Sequence, residues 1–531
     1  MMMKNRTNRA APVPIHPLLV IALLTVLLLS PILTQPLLEV DTYSTMMSAP
    51  GTAWKDMVLR NGRVLTGLLY LVIEKLHLTF SEIYYLSYLS AAGFTILAAA
   101  LVYSLLVQYT GRHSFTEILV CVITICNPLL IGFYQFLEVG AMCLSMFLAV
   151  SAAYLCRKLL SRPENRIRSI LVTECVLLAS CFLYQSTAAL FVSVLLPFVI
   201  SDFRRQKSAG KDAGKREGKS AGKCAAEESG SFSALLKQLA GIVFLWGIPM
   251  GINVVFTSVL FGSRKYADDA VNGSPFFERV LSFAIRHSSL LLLALAALAA
   301  GVLLFAGIIK LRYRVEFRSL FPDLMGLLVL NVLVAFSPYM TGQVNYFPLR
   351  IYYALGASPG LAGIYLLLHL HETGAAAEGA AADRVRPGHL RAILLLSALL
   401  FLSTGIFFQA VFRDIIRVNA KDRADALLVL DRIRSYEERS GKTVDTISVY
   451  YDGALTENSR PRFFRKLNPS AENRAWSDVA LINFYAASEG PKYIRGESDP
   501  SVQEYFSAQN WDTFHDAQLL FEGNEMYWCI Y

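Results

Sequence analysis

Long apolar runs separated by short polar breaks fill most of the first 411 residues. The runs His16–Thr34, Tyr84–Gln108, Glu117–Phe133, Glu138–Cys156 and Leu235–Phe261 each reach the roughly 17–25 residues a helix needs to cross a bilayer. So do Leu281–Ile309, Leu320–Phe336, Ile351–Leu370 and Ala392–Val411. The stretch Ile170–Ile200 is too long for one helix and short for two, and reads as a pair turning at Tyr184-Gln185. The pattern predicts about eleven crossings. One run differs: Leu65, Leu68, Leu69, Val72 and Leu76 form a single helical stripe, interrupted by Thr66, Glu74, Lys75 and His77. That pattern predicts a helix lying in the membrane interface within a first outer loop, residues 36–83.

The polar breaks set the orientation. Lys4, Arg6 and Arg9 precede the first run, and Arg112, Arg157, Lys158, Arg162, Arg166 and Arg168 fall in alternate loops, as do Lys310, Arg312 and Arg314. The positive-inside bias then predicts a cytoplasmic N-terminus. It also places the loop from Glu39 to Arg63 on the outer face. Residues 204–231, with SAGK twice, cannot bury a core and read as a flexible cytoplasmic linker. Beyond residue 411 no spanning run recurs. Leu427, Leu428, Ile433 and Tyr436 suggest a helix, Thr446–Tyr451 alternates like a strand, and Val479–Tyr485 is a short apolar run. The expectation is an all-α polytopic membrane domain, residues 1–411, followed by a small extracytoplasmic α/β domain, residues 412–531.

Composition agrees. The chain is 54% hydrophobic and 17% charged, with a mean hydropathy of +0.44, and a soluble globular chain is nearer one quarter charged. The net charge of +8 is explained by short inner loops without a polyanion, so no nucleic-acid partner is expected. The eight cysteines show no CxxC or Cys/His spacing, which argues against a zinc site or a disulfide framework. The first run is long and lacks a small-x-small cleavage site, so it reads as an uncleaved helix.

Chemistry is best sought among ionisable groups. No Asp, Lys or Arg sits in the middle of a run; the amides Asn127, Asn253 and Asn331 do, and such residues usually knit helices together. At the outer ends gather Glu39, Asp41, Asp56, Arg63, Glu138 beside Gln135, Arg264, Lys265, Asp268, Asp269, Arg286, His287, and Arg350 after Gln343 and Asn345. An ion-driven transporter wants charge near the midplane, whereas an enzyme acting on a lipid headgroup wants acids and bases at that level. Sugar transfer from a lipid phosphate to a hydroxyl needs a base, with Asp41 or Glu39 the candidates. It also needs cations for the leaving phosphate: Arg63, Arg264, Lys265 or Arg350. Each alone has a plain alternative, since paired loop acids are commonly solvated and an arginine at a helix end can snorkel.

The acidic loop after the first run, Trp54 and the Asn61-Gly62-Arg63 turn opening an amphipathic helix resemble the bacterial serotype-converting glucosyltransferases that modify O-antigen. The tip Leu183-Tyr184-Gln185-Ser186 and the segment Pro348-Leu349-Arg350 are similar to that family too. The resemblance implies a GT-C-like fold in a bacterial plasma (inner) membrane, a polyprenyl-phosphate sugar donor, a surface glycan or lipid-linked acceptor on the outer face, and work beside a donor synthase and a flippase. It assigns Asp41 as the essential acid, with Glu39 its competitor. Arg63, Trp54, Glu138, Gln185, Arg264, Lys265 and Arg350 are then expected to bind substrate. Family members often carry a doubled Asp where this chain has Glu39-Val40-Asp41-Thr42. The sequence calls for no cofactor; a divalent-ion requirement stays open, with Asp268-Asp269 the one pair that offers a contact. The competing functions are a lipid-linked glycan flippase or transporter, and a polysaccharide polymerase or ligase.

Overall fold

The computed structural model describes residues 15–47, 52–59, 61–161, 166–216, 232–260, 317–335, 349–376, 387–451, 470–472, 474, 477–486, 492–497, 499–508 and 518–530. The expectations at Arg264, Lys265, Asp268, Asp269, Arg286, His287, Gln343 and Asn345, and the span Leu281–Ile309, lie outside them.

The first run forms α1 (Ile15–Thr34). Three short helices follow it: α2 (Val40–Met46), α3 (Ala53–Leu59) and α4 (Val64–Lys75). Next come α5 (Phe80–Thr110), α6 (Phe115–Ile125), α7 (Val139–Ser161), α8 (Arg166–Leu183), α9 (Ala189–Arg216) and α10 (Phe232–Leu260). Helices α11 (Phe317–Ala335), α12 (Ser358–Ala376) and the 54-residue α13 (Pro387–Ser440) complete the bundle. Local chemistry sets the ends. Thr79 and Glu82 cap the start of α5 reciprocally, and Gly111, at φ +63°, ends it in a conformation that disfavours a side chain.

Eight of the described helices are long and apolar enough to cross a membrane, which marks a multi-pass membrane protein. Helix α8 is not among them; it carries Arg166 and Arg168 at its start and Glu174 near its middle. Nor is α11, whose apolar part is the shorter Leu320–Ala335. Helix α5 packs on α1 and α7, α7 on α8, α8 on α10, and α12 on α6 and α9. Helix α4 has 12 residues, about 18 Å, too short to cross a bilayer. Its stripe of Leu68, Leu69, Val72 and Leu76 is exposed, while Thr66, Gly67 and Tyr70 face the protein.

Two boundaries differ from the expectation. Where a flexible linker is expected from residue 204, α9 continues to Arg216. Arg204 pairs with Asp323 of α11 and Arg205 lies 3.8 Å from Glu372 of α12, so charge at this helix end is tied to neighbours. Residues 217–231 are not described. Helix α13 also runs unbroken past residue 411, so membrane bundle and C-terminal domain share one rod.

The C-terminal domain holds β1 (Thr446–Tyr451), α14 (Asp478–Tyr485), β2 (Ile494–Arg495), α15 (Pro500–Ser507), β3 (Leu519–Glu522) and β4 (Glu525–Ile530). The sheet order is β2-β1-β4-β3, with β1 parallel to β2 and β4, and β3–β4 an antiparallel hairpin. Its core joins Val429, Leu430 and Ile433 of α13 to Ile447, Ile482 and Trp528. Val40 and Tyr43 of α2 belong to the same core. The start of the first loop therefore shares one hydrophobic core with the last domain.

Candidate active site

The Asn61-Gly62-Arg63 turn forms as its sequence suggests. Gly62 takes φ +62°, and Arg63 precedes the first turn of α4. Gly67, one turn on, lets α3 approach: a Cβ there would lie 2.4 Å from Val58 Cγ2 and 3.0 Å from the Trp54 carbonyl oxygen. The turn is held from behind, where Gln185 Nε2 donates to the carbonyls of Asn61 (3.1 Å) and Gly62 (3.0 Å) and meets Asn253 Oδ1 at 3.3 Å. Thr66 Oγ1 adds a bond to the Leu183 carbonyl at 2.9 Å.

This scaffold aims Arg63 inward. Its guanidinium lies 3.2 Å from Glu138 Oε1 and 4.6 Å from the centroid of the Tyr184 ring. Tyr70, two helical turns along the same face of α4, donates to Glu138 Oε2 at 3.4 Å. Burial and the Glu138 carboxylate push the Tyr70 phenol well up, so it stays a donor. Arg350 stacks 3.8 Å from the centroid of Phe136, two residues before Glu138.

The two loop acids reach the same place from the other side. Tyr84 Oη sits 2.6 Å from the Ile32 carbonyl and 2.8 Å from that of Gln35, which fixes the exit from α1. Glu39 then caps α2, its Oε2 accepting the Asp41 N–H at 2.8 Å. Burial, and next the Asp41 charge, push the Glu39 carboxyl up to about 8. The Arg350 charge pulls it down and Glu138 pushes it up, which places all four groups in one electrostatic neighbourhood. Tyr70 senses Asp41 as well as Glu138 and Arg63. Around these acids Arg63 rests on Tyr184, Tyr70 on Glu138 and Arg350 on Phe136.

Of the residues expected from sequence, the structure brings Glu39, Asp41, Arg63, Glu138 and Arg350 together. Gln185 is present too, but its amide nitrogen is spent on the turn that carries Arg63. Trp54 stands on α3, its ring 6.0 Å from Lys55 Nζ. Arg264 and Lys265 are not described, nor is the side chain of Asp56. Among the described residues no cluster of three or more His, Cys, Asp or Glu could hold a metal ion.

Tyr70, Asn419 and Glu174 stand out in the structure and were missed by sequence inspection, whereas Asn253 was expected to knit helices. Tyr70 had a faint signal, being seven residues from Arg63 and thus on its face. Asn253 behaves as a knitting amide, 3.4 Å from the Gly62 carbonyl and 3.5 Å from that of Cys181. Asn419 contacts Leu38 from 381 residues away, a pairing no local pattern reveals. Glu174 lies mid-way along α8, and among the described residues neither of its oxygens has a hydrogen-bond partner, nor has Trp246 Nε1 of α10.

No protein-family model, curated protein or solved structure matches this chain.

Proposed function

We propose that the chain is a membrane glycosyltransferase of GT-C-like architecture. It takes a sugar, glucose by the resemblance to serotype-converting enzymes, from a polyprenyl-phosphate donor and passes it to a surface or lipid-linked glycan. The observation that carries this reading is the meeting of Glu39, Asp41, Arg63, Glu138 and Arg350 beside α4, at one end of the bundle and against the C-terminal domain. The opposite end gathers Arg157 with Asp202 and Arg204 with Asp323. With the positive-inside bias of the loops, this supports reading the site end as the extracytoplasmic one.

In this mechanism the prenyl chain lies along the exposed leucine stripe of α4, and the phosphate meets Arg63 and Arg350. Arg63 offers a forked set of donors held in place by Glu138 and Tyr184, suited to charge building on the leaving phosphate oxygen. Asp41 takes the acceptor hydroxyl proton as the new C–O bond forms and the sugar–phosphate bond breaks. Glu39, protonated near neutral pH, keeps a second negative charge away from the phosphate while holding the turn that presents Asp41.

Sugar incorporation at matched membrane expression tests it. Asp41→Asn is expected to lower the rate by roughly 10²–10⁴-fold, the scale of a general base. Glu39→Gln keeps a neutral acceptor for the Asp41 N–H and is expected to retain most activity. If Asp41→Asn and Glu39→Gln both work at the wild-type rate, loop one is not the catalytic loop.

One observation favours a second reading. Glu174 is a mid-helix carboxyl with no hydrogen-bond partner among the described residues, the kind of group that marks an ion or substrate path in a transporter. Purified protein that moves a labelled lipid-linked sugar across liposomes, never transfers it, and loses this with Glu174→Gln would replace the enzyme reading with a flippase.

A further inference from the structure

The residue just before Glu39 is gripped by the C-terminal domain's helix. Leu38 N–H donates to Asn419 Oδ1 at 2.9 Å, and Asn419 Nδ2 donates to the Leu38 carbonyl at 2.5 Å. One carboxamide thus satisfies both backbone groups of Leu38, as a neighbouring strand would. Leu38 lies between α1 and α2, where no helix supplies those bonds. The grip is reinforced three residues after Val40. Tyr43 is fully buried, its ring 5.3 Å from Phe484, edge to face, and 6.4 Å from Tyr485. Phe484 also packs on Phe80 of α5 at 5.5 Å, so α14 bridges loop one and the bundle.

Glu39 and Asp41 sit between these two anchors, one residue after Leu38 and two before Tyr43. The Leu38–Asn419 pairing joins residues 381 positions apart, and Asn419 lies on the extension of α13 out of the bundle. We propose that Asn419 is a positioning residue for the acid pair: it sets Leu38, and through it Glu39 and Asp41, against Arg63 and Arg350. The C-terminal domain is then part of the catalytic apparatus and not an appendage. This rests on the glycosyltransferase reading for its catalytic half only.

The test compares Asn419→Ala and Asn419→Asp with wild type in the full-length protein. Asn419→Asp keeps an acceptor for the Leu38 N–H and loses the donor. Tyr436→Phe is the control; it removes a bond from Tyr436 Oη to the Gly523 carbonyl (3.0 Å) inside the same domain, away from Leu38.

Amide hydrogen exchange over residues 38–46 needs no substrate. In Asn419→Ala it should speed up roughly tenfold, the scale of two lost hydrogen bonds, with Asn419→Asp between and Tyr436→Phe unchanged. Sugar transfer should fall roughly ten- to a hundredfold in Asn419→Ala, mainly in kcat. The charged groups facing Glu39 are Asp41, Glu138 and Arg350, with the Tyr88 phenol also near. When its anchor loosens, Glu39 gains water and ionises at lower pH, so the alkaline fall of the pH–rate profile should move toward acid. A purely structural role predicts a uniform loss with no such movement.

Unchanged exchange in both Asn419 variants overturns the proposal. Accelerated exchange with a wild-type rate and pH profile also overturns it. If wild type itself transfers no sugar, the glycosyltransferase reading fails, and accelerated exchange still supports Asn419 as the holder of loop one.

Discussion

Arg63 shows how one side chain can be over-determined. Its charge faces Glu138, its plane stacks on Tyr184, and its backbone follows a turn held by Gln185. Both partners of the Arg63–Glu138 pair are about nine-tenths buried. Removing one partner of such a pair leaves an uncompensated charge, a cost of about 3–5 kcal/mol. Glu138→Ala is therefore expected to lower thermal stability measurably. Glu138→Gln, which keeps shape but not charge, should preserve the fold better and lower activity through a misaimed guanidinium. Arg63→Lys keeps the charge and loses both the fork and the ring stacking. Its KM for the lipid donor should rise; an unchanged KM would remove Arg63 from the phosphate site. Arg63 and Asp41 could be picked out in the sequence because each stands at an exit or entry of a helix. Glu138 and Gln185 stood out only as polar residues at tips; that one grips Arg63 and the other grips its turn depended on where the tips meet.

At the scale of elements, the crossing of α3 and α4 depends on one missing side chain. A Cβ at Gly67 would meet Val58 and the Trp54 carbonyl, and the second is backbone that cannot rotate away. Gly67→Ala should cost about 1–3 kcal/mol, as overpacking does, and Gly67→Leu should separate the helices. The check is a lowered unfolding midpoint and weaker donor binding, since α4 begins at Arg63; a midpoint unaffected by Gly67→Leu would sink this account. The apolar stripe of α4 was plain in its spacing, and so was its failure to be a span. What spacing could not show is that its small and polar face, Thr66, Gly67 and Tyr70, would be the buried one. A helix of a soluble protein would turn such a stripe inward; an exposed stripe is the pattern of a helix that lies in a membrane interface. The overrun of α9 past residue 204 has a similar cause. A Lys- and Ala-rich stretch carries no core signal, yet such residues are good helix formers and extend a helix already nucleated.

For the whole molecule the main consequence is the union of loop one with the C-terminal domain. The junction holds a buried polar group of its own. Asp422 of α13 accepts from Ser470 Oγ and from the Ala471 N–H at 2.9 Å, while Lys421 binds Asp425 at 2.6 Å and Glu472 at 3.0 Å. Burial pushes the Asp422 carboxyl up to about 6 and Glu472 well above its ordinary range. A carboxyl raised by folding binds its proton more tightly in the folded state, so its ionisation opposes folding above pH 6 and the penalty fades as pH falls below that. The unfolding midpoint of the C-terminal domain should therefore rise on acidification from pH 7 to pH 5. Asp422→Asn should flatten that slope; an equal slope in both proteins would assign it to other groups.

Composition and periodicity by themselves determined the membrane class, the positions of most spans, the short helix of loop one and the strand at Thr446–Tyr451. These follow from local rules: an apolar stretch must be long enough for a bilayer, and a face must repeat at the period of its backbone. Only the tertiary structure decided that Leu38 meets Asn419, that Tyr43 enters the core around Ile447 and Trp528, and that Glu39 feels Arg350. Those contacts join residues hundreds of positions apart, and no periodicity spans such a distance. They arise because α1 and α13 leave the bundle at the same end, bringing the first loop and the last domain within reach of one another.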